Sequence, residues 1–179
     1  MAETPATQVW IGRCVFAVVM VAIIFVQLLP LDTRPDTWPA PDLMLAVTLT
    51  WVVRRPDFAP VILVAGLFLL ADLLFQRPPG LWTGLMIIGT EMLRTRARKM
   101  RNMPLMLEWG TVAMGVVMIT LAYRLALAIV MTPQPPLGLT LIQMVMTIVI
   151  YPVVVVIAHF ILGVSRPAPG QTDSLGHRL

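Results

Sequence analysis

The sequence predicts an all-α membrane protein, a bundle of six transmembrane helices with both termini on the cytoplasmic side. Three observations predict it. The 179 residues are 58% hydrophobic and only 12% charged, against about 45–50% and about 25% in soluble domains. A chain this apolar has too little polar surface to stay dissolved as a packed domain. The apolar residues gather into six runs, parted by short polar or proline-rich gaps. The basic residues fall in alternate gaps, as the positive-inside rule asks.

The six runs are 9–29, 42–53, 58–75, 79–93, 105–131 and 139–164, within one domain over 1–164. The first is about 21 residues long, enough to cross a hydrocarbon core of about 30 Å. No small-residue cleavage signal follows it, so it reads as a retained helix that Pro30 ends. In the connector 30–41, Pro35, Pro39 and Pro41 disfavour helix, and Trp38 suits the headgroup layer. The second and fourth runs are short for a span, which local thinning and packing against neighbours accommodate. Pro79-Gly80 opens the fourth. The tail 165–179 is rich in Pro, Gly and polar residues and is expected to be a flexible cytoplasmic segment.

Topology follows from the charges. With the N-terminus inside and six spans, the cytoplasmic side holds Arg13, Arg54, Arg55, the basic run 94–101, Arg166 and Arg178. The outer side holds Arg34 and Arg77, and Arg124 lies inside the fifth helix. Were the second run not to span, the 94–101 run would fall outside, against the rule.

The residue inventory argues against catalysis. One cysteine (Cys14), two serines (Ser165, Ser174), two histidines (His159, His177) and one lysine (Lys99) offer no nucleophile beside a base within the membrane. No His/Asp/Glu cluster has metal-ligand spacing, and no glycine-rich loop follows a strand. No enzyme activity, metal or cofactor is therefore expected. Nucleic acid is not an expected partner either, because the positive charge marks helix boundaries. Arg94, Arg96, Arg98, Lys99 and Arg101 are candidate contacts to anionic lipid or a cytoplasmic partner.

Charged residues inside apolar runs need partners, water or the interface, since each costs about 2.5–3.5 kcal/mol at a helix centre. Asp72 and Arg124 fall at similar depth toward the outer side. They form a candidate buried pair; the other arrangement has Arg124 snorkelling to headgroups and Asp72 in interfacial water. Glu91 is placed to reach Arg94 or Arg96. Glu108 offsets the basic run and suits a helix N-terminus. Gly80 and Gly84 form a small-xxx-small packing signal with Glu91 on the same face. Gln143, Thr147 and Tyr151 form a polar stripe on the sixth helix suited to interhelical hydrogen bonds. Pro152 frees the carbonyl of Ile148, so a kink is expected there.

Several of these short motifs together resemble the rod-shape-determining MreD family over about residues 10–163. They are Pro41-Asp42-Leu43 opening the second helix, Trp51 near its end, Gly66-Leu67 leading to Asp72-Leu73-Leu74, and Pro79-Gly80 opening the fourth. The resemblance implies a non-enzymatic inner-membrane subunit of the cell-elongation machinery. Its implied partners are an MreC-like periplasmic scaffold, an MreB-like filament and the peptidoglycan glycosyltransferase and transpeptidase of lateral wall synthesis. The family is similar in fold to the S subunits of energy-coupling-factor transporters, which keeps a small-solute-binding or transport role as the alternative.

Overall fold

The computed structural model describes residues 5–29, 39–100 and 104–160. The expectations for 30–38, for Arg101 and for the tail 165–179 lie outside the described residues, as do the side chains of Arg98 and Lys99.

The chain is all helical: α1 (Pro5–Leu28), α2 (Leu43–Arg54), a single 3-10 turn at Pro56–Phe58, α3 (Val61–Leu74), α4 (Leu81–Met100), α5 (Leu105–Ile129) and α6 (Leu137–Phe160). Proline sets most of the starts. Pro60, Pro104 and Pro136 stand immediately before α3, α5 and α6, and Pro5 opens α1. A helix start is where a missing N–H is least missed and a fixed φ most useful. α2 starts differently: Asp42 caps it, its side chain accepting from the Leu45 amide at 2.9 Å.

The stops are equally local. Arg55 precedes Pro56, which disfavours helical backbone at that residue and ends α2. α3 ends where Gln76 turns to φ 54° and the Arg77 amide donates back to the Asp72 carbonyl at 3.0 Å. α5 ends the same way, with Met131 at φ 54° and the Thr132 amide on the Leu127 carbonyl at 3.1 Å. Both are Schellman stops built on a non-glycine residue.

Several expected boundaries shift, and α1 begins at Pro5 instead of residue 9. The third run begins with the 3-10 turn, so α3 starts at Val61. α4 does not stop at residue 93: it runs on to Met100, carrying the start of the basic run on helix instead of loop. Arg, Lys, Ala and Met are among the best helix formers, and charge alone does not end a helix.

Consecutive helices run in alternating directions. One end of the bundle holds the start of α2, the 75–80 link and the 130–136 link. The opposite end holds the α2–α3 link, where Arg13 donates to the Asp57 carbonyl (3.1 Å) and Arg94 to the carbonyls of Pro56 (2.8 Å) and Ala59 (2.6 Å). α2 lies at the core against α1, α4 and α6, and every residue from Met44 to Val53 is buried. Its 12 residues reach only about 18 Å.

Around it, among the described residues, three helices are long and apolar enough to cross a membrane: Ala6–Leu28, Leu105–Ile129 and Leu137–Phe160. Their outward side chains are apolar: Val18, Met106 and Ile129 are 68%, 76% and 72% exposed. A surface of that kind fits lipid, not water. Glycine lets helices meet closely at two unforeseen points. A Cβ on Gly12 would sit 2.5 Å from the Phe58 ring, and one on Gly89 would sit 2.6 Å from Ile119. The expected packing glycines Gly66 and Gly84 do not serve this purpose within the chain, since a Cβ on either meets nothing within 4 Å. Gly80 instead supplies a turn, at φ 84°.

Pro152 does not interrupt α6, which continues through it. The carbonyl it frees, that of Ile148, receives the indole N–H of Trp109 on α5 at 2.9 Å. The proline thereby creates an interhelical bond. Trp109→Phe is expected to cost about 1–3 kcal/mol by stranding that carbonyl. The loss should shrink when Pro152→Ala restores a backbone donor, and a double-mutant cycle of unfolding in detergent measures the coupling. Additive effects of the two substitutions would show that the bond is idle.

Candidate functional site

The polar residues of the bundle sort into three clusters, each placed by a helix end. At the end holding the α2–α3 link, Arg54 closes α2 and Glu108 lies in the first turn of α5. Each charge therefore sits at the helix terminus that its sign favours. Arg54 Nε and Nη2 donate to Glu108 Oε1 and Oε2 at 3.1 and 3.4 Å, and the Tyr151 hydroxyl donates to Oε1 at 2.9 Å. The Glu108 side chain is fully buried and that of Arg54 is 10% exposed. α2, α5 and α6 are thus tied by one buried carboxylate. Glu108 had been expected only to offset neighbouring charge at its helix start, and Arg54 only to mark a boundary.

On the same side Glu91 accepts from Arg94 at 2.8 Å, the reach expected of it. Arg94 spends its other donors on the two link carbonyls. Arg96 is exposed beside a groove between α4 and α5. That groove has a volume of about 570 Å³ and is lined mainly by apolar side chains and glycines.

At the opposite end, the polar stripe of α6 divides its work. Thr147 Oγ1 accepts from the Asp42 amide at 2.9 Å and donates to the Gln143 carbonyl at 2.7 Å, while Gln143 Nε2 reaches the Ala40 carbonyl at 3.2 Å. Gln143 and Thr147 therefore hold the Pro41-Asp42 approach to α2 against α6. Tyr151, two turns away, serves the Glu108 cluster.

The candidate pair of Asp72 and Arg124 is corrected by the structure. Asp72, fully buried at the end of α3, accepts on one oxygen from the Gly80 amide (3.1 Å), the Thr83 amide (3.2 Å) and the Thr83 hydroxyl (2.8 Å). It caps α4 across the Pro79-Gly80 turn. Arg124 instead donates to the Pro135 carbonyl (3.2 Å) and Thr140 Oγ1 (2.7 Å). The amides at a helix start eight and eleven residues away take one oxygen of the carboxylate, and a helix start favours its negative charge without a distant cation.

Between these capping residues lies a cavity of about 330 Å³, walled by α2, α4, α5, α6 and the 75–80 and 130–136 links. Two guanidinium groups face it, Arg77 and Arg124, with one acid, Asp42. Arg77 lies over the Phe75 and Trp82 rings, 5.3 and 5.8 Å from their centroids. Trp82 meets Tyr123 edge-on at 4.8 Å. Arg77 had been read only as an outer-side charge. Its tandem with Arg124 has no sequence signature, since 47 positions separate them. Among the described residues no group of three His, Cys, Asp or Glu side chains is placed to hold a metal. The chain matches no family model, no curated protein and no solved structure.

Proposed function

We propose that this chain is a non-enzymatic scaffold subunit of a bacterial inner membrane, of the rod-shape-determining MreD type. In this reading six helices cross the membrane with both termini cytoplasmic. The bundle links an MreC-like periplasmic scaffold, an MreB-like filament and the glycosyltransferase and transpeptidase that build lateral peptidoglycan. The motif resemblance supports the family. The sidedness is supported by Arg13, Arg54, Arg55, Arg94 and Arg96 belonging to one end of the bundle. α2 is too short to span alone, but its buried position spares it direct contact with the full lipid thickness.

The observation that carries the scaffold reading is the α4–α5 groove. Gly110 leaves open space in its wall, and Met106, Met114 and Met118 are 76%, 62% and 58% exposed around it. Small residues let a partner helix approach closely in lipid, and methionine adapts to irregular partners. The groove is therefore read as the seat of a partner's transmembrane helix. Gly110→Leu places a side chain in it from a position where a Cβ meets nothing within 4 Å. The variant is expected to fold, to lose co-purification with the MreC-like partner and to round the cells. Normal shape with intact co-purification would remove the groove from the proposal. The second reading, a solute-binding subunit similar to energy-coupling-factor S components, is favoured by the polar cavity at the other end. A stoichiometric metabolite retained by the purified protein would favour it.

A further inference from the structure

We propose that the cavity between α2, α4, α5 and α6 binds an oxyanion, a phosphate or carboxylate group, between Arg77 and Arg124. The two residues approach from separate elements, the α3–α4 link and α5, and both face the cavity. Among the described residues neither is ion-paired, whereas Arg54 and Arg94 each hold a carboxylate. Arg124 uses one terminal nitrogen on Pro135 and Thr140, and its remaining donors have no protein acceptor. Among the described residues Arg77 donates no side-chain hydrogen bond; its guanidinium carbon lies over the Phe75 and Trp82 rings. A guanidinium held by its face presents its edge donors, the geometry that takes two oxygens of a phosphate or carboxylate.

The charge balance points the same way. Among the described residues Asp42 is the one acid in the lining, and its carboxylate accepts from the Leu45 amide to cap α2. Asp72, outside the lining, is occupied with the start of α4. Two cations therefore face one acid in a site of low polarity, and a bound anion supplies the missing charge. The volume of about 330 Å³ suits a headgroup or small acid. Trp82 and Tyr123 offer an apolar wall beside the cations.

The ligand chemistry is shared by a phospholipid headgroup and a free anion. The inference depends on the membrane reading for lipid access and is independent of the scaffold reading. The test uses the full chain purified in detergent. One arm measures retention of phosphatidylglycerol against phosphatidylcholine by native mass spectrometry; the other measures thermal protection by inorganic phosphate. The decisive variant is Arg77→Gln, because among the described residues Arg77 donates no side-chain hydrogen bond and its contacts are to the Phe75 and Trp82 rings. Arg124→Gln is the second variant, and Arg13→Gln, at the opposite end, is the control.

Arg77→Gln is expected to weaken binding about tenfold or more, with Arg13→Gln unchanged. Loss confined to the lipid arm assigns a headgroup, and loss confined to the phosphate arm assigns a soluble anion. An unmodified chain that binds neither probe, or an Arg77→Gln chain that binds both as the unmodified chain does, overturns the proposal. Cells that keep their shape, with co-purification intact, when the α4–α5 groove is filled would remove the groove from the scaffold reading and leave this inference standing.

Discussion

Arg54→Met is expected to destabilise the bundle by about 3–5 kcal/mol, the usual penalty for leaving one partner of a buried ion pair uncompensated. The reason is the setting of Glu108. Its side chain is fully buried at the start of α5, and Arg54 approaches it with two donors from α2. Taking Arg54 away removes two donors and a counter-charge from the carboxylate, which keeps the Tyr151 hydroxyl bond among its contacts. Equilibrium unfolding in mixed micelles reads the loss. The ion pair itself is a different quantity. Replacing Arg54 and Glu108 by methionine together with Tyr151→Phe removes charge and hydrogen-bonding groups at once. That triple variant should recover most of the stability lost by Arg54→Met, because desolvation of a buried pair offsets much of its attraction. If the triple variant is as unstable as the single one, the cluster contributes through packing and not through charge.

The cluster also shows which parts of the molecule were legible in the sequence. Runs of more than twenty apolar residues announced α1, α5 and α6 directly. Pro41-Asp42 announced a helix start because capping is a local act, finished within three residues. The Glu91–Arg94 contact was legible for the same reason. Arg54 and Glu108 are 54 positions apart, and both had a sufficient local role as charges at helix ends, so nothing in the sequence joined them. Pro152 lies between these cases. The carbonyl it strands follows from backbone geometry alone, but that Trp109 supplies the missing donor is a fact of helix packing. α4 ran past its expected end because a basic run was read for its charge, whereas arginine and lysine also extend helices readily. The cavity was hidden for a stronger reason. Its two cations come from a link and a helix whose only relation is that the chain folds them to the same end of the bundle.

Asp72→Ala is expected to cost about 3 kcal/mol, and Asp72→Asn about 1 kcal/mol. The asymmetry follows from how the carboxylate is used. One oxygen, Oδ2, takes the amides of Gly80 and Thr83 and the Thr83 hydroxyl; the other, Oδ1, is buried without a partner. An asparagine placed with its carbonyl oxygen where Oδ2 lies keeps all three bonds. It loses only the favourable charge at the start of α4, a modest effect. Alanine strands the two buried donors of Thr83, frees the Gly80 amide and releases the turn that leads from α3 into α4. A pair with Arg124 predicts similar costs for the two variants, since asparagine and alanine both remove the counter-charge and leave the arginine uncompensated. The same variants therefore decide between the two roles. With capping, the effects of Asp72→Asn and Arg124→Gln add to within about 0.5 kcal/mol, because the two side chains share no partner. With pairing, the second substitution costs little once the first is made. The additive result would also free Arg124 for the cavity, where its unused donors face Arg77's side of the same space.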